Sequence, residues 1–232
     1  DRSQQLMTTQ KQLLQDVSHE LRSPLARLEV VVEIARRQSG GTLDDALDNV
    51  LKESHHLNTL IGKILSLSSL TSGHYQLVKE PIDCFELIQS VTEGLTKVKK
   101  DFSGKINCTC DANDPIICLD RALMYSVFDN LIKNAMLHSH ASHPHIKVSI
   151  HKRNARPNQK PWVIRVQDNG KGVLEAQLKH IFDPFYRVPS KTHTKKFGYG
   201  LGLAITKKTV ELHGGTIEAY NDGGFVVEIC LD

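Results

Sequence analysis

Apolar residues recur at Leu14, Val17, Leu21, Leu28, Val31 and Ala35 in steps of three and four, with Pro24 in the gap between Leu21 and Leu28. That period predicts the seam of a helix bundle or coiled coil. The pattern stops at Ser39-Gly40-Gly41, and Thr42 stands three residues before Asp45, an approximate capping box. A second seam follows through Leu43, Ala46, Val50, Leu57, Leu60, Ile64 and Leu67. Two amphipathic helices joined by a short turn predict an antiparallel hairpin that cannot cover its own apolar stripe. A second hairpin would complete a four-helix bundle, so the pattern predicts a homodimer. The alternative is a hairpin packed on the rest of its own chain.

Beyond the short linker Thr71-Ser72-Gly73 the pattern becomes mixed α and β. Asp83 can cap a helix reaching about Leu95, and Asp120 one reaching about His138. Lys105–Cys110, Ile116–Leu119, Ile146–Lys152 and Trp162–Gln167 read as strands. Leu174–Ile181 and Leu201–Leu212 read as helices. Thr216–Ala219 and Phe225–Leu231 read as a hairpin around Asn221-Asp222-Gly223-Gly224. The expected organisation is therefore a helical domain over 1–72 and an α/β domain over 73–232.

Composition narrows the function classes without choosing one. The 232 residues are 40% hydrophobic and 24% charged, ordinary globular values that argue against a disordered, collagen-like or membrane-embedded chain. A net charge of +3 offers no strong basic field, so nucleic acid is not an expected partner. Five scattered cysteines suit a reducing compartment and read as packing residues; Cys108 and Cys110 lack the second pair a zinc site needs. No apolar run approaches a membrane span and no signal peptide is visible. The chain opens at Asp1 in polar helix-forming sequence, so it is expected to be a fragment of a longer protein. There are 12 histidines, five of them at His138, His140, His143, His145 and His151. By spacing alone that cluster is a candidate metal site.

Three polar clusters carry the candidate chemistry. Asp168-Asn169-Gly170-Lys171-Gly172 leaves a strand end, where an Asp can accept from an exocyclic amine and glycines let backbone approach a flat ring. Alone, the cluster reads as readily as a bare turn. Gly198-Tyr199-Gly200-Leu201-Gly202-Leu203 opens a helix, whose free N–H groups suit phosphate, although it is neither a Walker loop nor a dinucleotide fingerprint. Asn130 and Asn134 share one helix face and offer two carboxamide oxygens to Mg²⁺, while Lys133 can reach a phosphate. A solvated helix face is the bland reading of that third cluster. Between the glycine clusters, the basic stretch VPSKTHTKKF reads as a loop over a triphosphate or as a plain surface loop.

The nucleophile candidate is His19, in Val17-Ser18-His19-Glu20-Leu21-Arg22-Ser23-Pro24. Val17 and Leu21 lie on the seam, which turns His19 outward. A carboxylate such as Glu20 at one ring nitrogen would leave the other as a nucleophile, and Pro24 can bend the helix just beyond. SHELRSPL resembles the H box of bacterial two-component sensor histidine kinases. NLIKNA resembles their N box, DNGKG their G1 box, FDPFYR their F box and GYGLGL their G2 box, in matching order over residues 10–232. The runs RSPLARL and FYRV are similar to those of Cpx-type envelope-stress sensors.

The resemblance implies a fold of helical hairpins forming a dimeric four-helix HisKA bundle, followed by an α/β sandwich of the Bergerat (GHKL) ATP-binding fold. It implies an ATP-dependent protein-histidine kinase, with ATP and Mg²⁺ as cofactors. His19 would take the γ-phosphoryl group, with Glu20 as general base. Asn130 and Asn134 would hold Mg²⁺, and Lys133 would contact phosphate. Asp168 would bind the adenine amine in a pocket shaped by Gly170 and Gly172. Gly198, Gly200, Leu201 and Gly202 would border the lid and phosphates, Arg187 would contact the γ-phosphate, and Phe182 and Phe185 would anchor the lid. The implied partners are a second copy of the chain and the receiver domain of a response regulator, and the implied location is the cytoplasmic face of the bacterial inner membrane.

Two departures qualify these roles. His138 stands where the family often has an aromatic, and offers less area for stacking on adenine. Glu20-Leu21-Arg22-Ser23 places Ser23 where the phosphatase motif has Thr or Asn, so the regulator-phosphatase role is less supported than the kinase role. With a nucleotide fold expected, the histidine cluster becomes the end of the adenine helix and a loop into a strand. The competing readings are a non-enzymatic scaffold that binds nucleotide, and an ATPase clamp.

Overall fold

The computed structural model describes residues 25–26, 28–37, 44–73, 75–99, 102–140, 142–153, 160–189 and 198–232, with backbone alone at 44–46. His19, Glu20, Ser23 and the first part of the first seam lie outside the described residues, as does most of the basic stretch between the F and G2 boxes. The chain separates into two compact units, Asp1–Tyr75 and Gln76–Asp232.

In the first unit, helix α1 is described over 28–37 and helix α2 runs Asp44–Thr71. Polar bonds report their direction. Glu29 accepts from the Ser54 hydroxyl at 2.8 Å and from the Asn58 amide at 3.3 Å, while Arg36 pairs with Asp48 at 2.9 Å. One index rises as the other falls, so the helices are antiparallel. The Ser54 hydroxyl, then His55 and Asn58, hold the Glu29 carboxyl below its ordinary range against a smaller opposing effect of burial. Val32, Ser54 and Ile61 are buried. The seam positions Leu28, Val31, Val50 and Leu57 are exposed, together with Val30 and Ile34. The hairpin thus leaves much of its apolar stripe uncovered, as expected of a single hairpin that cannot bury its own seam.

The second unit is a mixed α/β layer structure. Strand β1 (Glu80–Asp83) pairs antiparallel with β3 (Ile116–Leu119) in a two-stranded ribbon. Strands β2 (Lys105–Cys110), β4 (His145–Lys152), β5 (Trp162–Asp168), β6 (Thr216–Asn221) and β7 (Phe225–Leu231) form a sheet in the order β2-β4-β5-β7-β6. Only the β2–β4 pair is parallel. Helices α3 (Cys84–Val98), α4 (Arg121–His138) and α6 (Gly202–Leu212) belong to the same unit, with the four-residue α5 (Glu175–Leu178) between β5 and α6. Ile146, Val148, Ile150, Ile164, Val166, Val227, Ile229 and Leu231 alternate along their strands into a core shared with Leu87, Ile88, Val91, Phe128, Leu131, Ile132 and Val210 of the helices.

Local chemistry explains most element ends. Asp83 accepts from the amides of Phe85 and Glu86, both at 2.9 Å, and starts α3. Asp120 accepts from Leu123 at 3.1 Å and starts α4. The strand at Glu80–Asp83 was not expected; EPID lacks alternation, and Pro81 restricts it to an edge. The helix expected over Leu174–Ile181 contracts to the single turn of α5, which has no side-chain cap. All five cysteines are free. Burial pushes the Cys84 thiol far up, consistent with a packing role.

His213, just past α6, is 5% exposed and fully bonded. Its Nδ1 donates to the Thr209 carbonyl at 2.8 Å, and its Nε2 accepts from the Asp120 amide at 3.0 Å. That acceptor requires a neutral ring. Burial pushes its pKa below the ordinary value of about 6.5, aided by Lys79 and opposed by the Thr209 bond and Asp120. A lowered folded-state value means that the unfolded chain takes up this proton first as pH falls. The His213 contribution is therefore complete above about pH 6.5 and declines below it. Urea midpoints at pH 7.5 and 5.5 should show a larger acid loss in the wild type than in His213→Gln; equal losses would refute this assignment. Other titrating groups are common to both proteins and cancel.

Candidate functional site

The G1 box begins where β5 ends. Asp168 is 3% exposed, and its Oδ1 accepts from the Gly170 amide at 2.7 Å and the Phe225 amide at 3.3 Å. Burial raises its carboxyl pKa, and the two amides and His138 partly offset this. Gly170 lies so close to the end of α4 that an added Cβ would sit 2.1 Å from the His138 carbonyl oxygen. Asp168, Gly170 and His138, which are far apart in sequence, thus meet at one place. Gly172 has φ +70°, and a Cβ there would sit 2.5 Å from Asn221 Oδ1. Asn221 clasps the next residue, accepting from the Val173 amide at 2.9 Å and donating to its carbonyl at 2.6 Å.

The N box lies against the start of α6. The amide nitrogen of Asn130 donates to Thr206 Oγ at 3.0 Å, and a Cβ on Gly202 would meet Asn130 Oδ1 at 2.2 Å. With its N–H group directed to Thr206, the Asn130 carboxamide keeps its oxygen available as an acceptor. Asn134 lies one turn on, half-buried on the same face. Lys133 pairs with Asp129 at 2.7 Å on the exposed side of α4. Among the described residues, no side chain caps α6 at Leu201, so its first amides remain available.

The F and G2 boxes are joined through backbone. The Phe185 amide donates to the Gly200 carbonyl at 2.9 Å. Phe185 has φ +65° and is 60% exposed. Gly200 has φ +70°, and a Cβ there would sit 2.6 Å from both Phe185 C and Tyr186 O. Residues on the two sides of the intervening basic stretch, Phe185 and Gly200, are therefore in contact. Phe182 is half-buried with Lys207 above its ring, Arg187 is exposed just after the F box, and Gly198 is exposed at the other end.

Two carboxamides, Asn169 within the G1 box and Asn221 against it, carry structure that residue order does not announce. Both bond to backbone of other segments, and Asn221 stands in sequence as part of a hairpin turn. Thr206, followed directly by Lys207 and Lys208, carries no signal of its role in the sequence, and its burial is set by the fold. The histidine cluster forms local bonds instead of a cage. His151 meets Asp111 at 2.7 Å, and His145 meets Asn107 at 3.2 Å. Among the described residues, no group of three His, Cys, Asp or Glu could hold a metal ion.

Comparison with known proteins gives the family. Residues 9–73 match the His Kinase A (phospho-acceptor) domain, and residues 119–232 match the histidine kinase-, DNA gyrase B- and HSP90-like ATPase domain. The chain belongs to the two-component sensor histidine kinases. It is 30% identical over 217 residues to the signal transduction histidine-protein kinase ArlS of Staphylococcus epidermidis, covering 92% of this chain and 46% of that protein. It is 33% identical over 220 residues to the sensor protein kinase WalK of Staphylococcus saprophyticus, covering 93% and 35%. The sensor histidine kinase CpxA of Escherichia coli is 28% identical over 230 residues, covering 98% and 48%. Identity is no higher with CpxA than with the other two, so similarity places the chain in the family at large.

The chain spans less than half the length of these relatives. Among solved structures, full-length ShkA in complex with AMPPNP superposes with a TM-score of 0.73 at 22% identity, covering 95% of this chain and 46% of that one. The catalytic domain of ThkA superposes with a TM-score of 0.56 at 25% identity, covering 66% and 96%. The fold is that of histidine kinases: a helical HisKA region followed by an α/β ATPase domain. Among the described residues, no helix is long and apolar enough to cross a membrane.

Proposed function

We propose that the chain is the kinase core of a sensor histidine kinase, with 1–72 as the dimerisation and phosphotransfer domain and 73–232 as the ATP-binding catalytic domain. ATP would phosphorylate His19, and the phosphoryl group would then pass to an Asp of a response regulator. The observation that carries this reading is the close approach of Gly202 to Asn130, with Thr206 orienting the carboxamide. It brings a candidate cation ligand beside uncapped helix amides, the two groups that phosphoryl transfer needs together.

Each residue has a defined task. Asp168 accepts from the adenine amine, and His138 and Gly170 form walls of the same slot. Asn130 and Asn134 would hold Mg²⁺ through their carboxamide oxygens, and the ion would neutralise charge on the phosphates. Gly198, Gly200, Leu201 and Gly202 present backbone to the phosphates, and Arg187 meets the γ-phosphate. Lys133 must leave Asp129 to reach a phosphate, which costs little because exposed ion pairs contribute about 0–1 kcal/mol. Glu20 removes the imidazole proton as His19 attacks. Ser23 orients water for hydrolysis of the regulator's acyl phosphate.

The exposed Leu28, Val31, Ile34, Val50 and Leu57 favour burial of the hairpin against a second copy, giving a homodimer. The full protein would hold this core at the cytoplasmic face of the inner membrane. Incubation with γ-labelled ATP and Mg²⁺ is expected to place acid-labile, base-stable phosphate on the chain. Nucleotide binding without label would favour a scaffold, and release of free phosphate without label would favour an ATPase clamp.

A further inference from the structure

Asn169 is the second residue of the G1 box, and its side chain makes three bonds to one segment. Oδ1 accepts from the His140 amide at 3.1 Å and the His145 amide at 3.0 Å. Nδ2 donates to the His143 carbonyl at 2.7 Å. Two N–H donors on one side and a carbonyl acceptor on the other fix the orientation of the carboxamide. His140 and His143 belong to the connection between α4 and β4, and His145 is the first residue of β4. That connection starts at His138, whose carbonyl lies against Gly170, and ends where Ile146 pairs with Asp168 itself. The histidine-rich connection is thus tied to the residue between Asp168 and Gly170.

We propose that Asn169 is a positioning residue for the adenine end of the site, setting the distance between the α4 terminus carrying His138 and the Asp168–Gly170 turn. This rests on the nucleotide-binding reading above. Asn169 touches neither phosphates nor Mg²⁺ in this scheme; it acts through the loop. Its loss lets the His138 end of α4 drift from Gly170 and widens the slot. The effect is therefore shared by every adenine nucleotide and is independent of the ion. His140, His143 and His145 serve here by their backbone groups.

The test is titration of the full chain with ADP and with ATP, each with and without Mg²⁺, alongside thermal unfolding. Asn169→Ala is expected to weaken ADP and ATP by the same factor, about tenfold for the lost bonds, with or without Mg²⁺. The maximal rate of self-labelling at saturating ATP should stay near wild type. Asn169→Asp keeps the oxygen that accepts from His140 and His145 but sets a second oxygen against the His143 carbonyl, and should recover only part of the affinity. Unchanged ADP affinity in Asn169→Ala, or a loss that grows with phosphate number or requires Mg²⁺, would overturn the proposal. So would a fall in maximal rate matching the fall in thermal stability. If Asn169→Ala does not fold, amide exchange in the wild type decides: ADP should slow the His140 and His145 amides, and indifference to ADP would overturn the proposal. A wild-type chain that binds no adenine nucleotide would remove the underlying reading instead, and the proposal with it.

Discussion

His19→Ala is expected to lower phosphoryl incorporation from labelled ATP by on the order of a thousandfold or more, because it removes the attacking atom. Ala supplies no nitrogen, and the histidines described in α2, His55 and His56, lie outside the H box. Adenine nucleotide affinity should be unchanged, because the residues assigned to nucleotide belong to the other unit. Glu20→Gln should show a smaller loss that eases with rising pH, since it removes a base but leaves the imidazole. Affinity by titration and label by gel separate the two tasks. Acid-labile label that persists in His19→Ala would transfer the nucleophile to another residue and defeat the assignment.

Much of this was readable from residue order, and the exceptions are physical. Asp83 and Asp120 could be read as caps because a cap is local: one side chain bonds to amides two or three residues away. Alternation along Ile146–Ile150 and Val227–Leu231 was readable because one sheet face is buried. Strand Glu80–Asp83 was not, since its pairing with Ile116–Leu119 spans some thirty residues and leaves no period. The two helices of the hairpin were legible, but the split between buried and exposed stripes was not. Apolar stripes on both sides of a helix look alike in sequence, and Ser54 is buried through its bond to Glu29.

The nucleotide boxes could be found as clusters of residue types, whereas their mutual placement could not. Nothing in the spacing says that Gly170 faces the His138 carbonyl or that Thr206 holds Asn130. The tasks of Asn169 and Asn221 were not legible for the same reason, because their partners are backbone groups on other elements. His213 is a further case. An isolated histidine after a helix reads as a surface residue, yet it bonds the amide of Asp120, and the same Asp120 also accepts from Val78. The start of α4 is therefore fixed at Asp120 and its middle at Asn130, each time against α6 or its end.

That second tie supports a substitution with a large effect on activity and little on folding. A Cβ on Gly202 would lie 2.2 Å from Asn130 Oδ1, 2.9 Å from Cγ and 3.0 Å from Nδ2, so Ala contacts the whole carboxamide and one of the two must move. Asn130 is held by Thr206 from the other side, and its displacement carries the oxygen away from the cation position. Ala is also the better helix former, by up to about 1 kcal/mol, so a general loss of stability is not the expected outcome. Gly202→Ala should lower the Mg²⁺-dependent labelling rate by on the order of a hundredfold, close to the loss in Asn130→Ala, at near wild-type thermal stability. If the glycine acts through the carboxamide, the double variant costs no more than Asn130→Ala alone. Rates measured across a Mg²⁺ titration decide it. Additive losses would show that Gly202 serves the phosphates through its own backbone, independently of Asn130. A fully active Gly202→Ala would show that the carboxamide does not hold the ion from the position seen here.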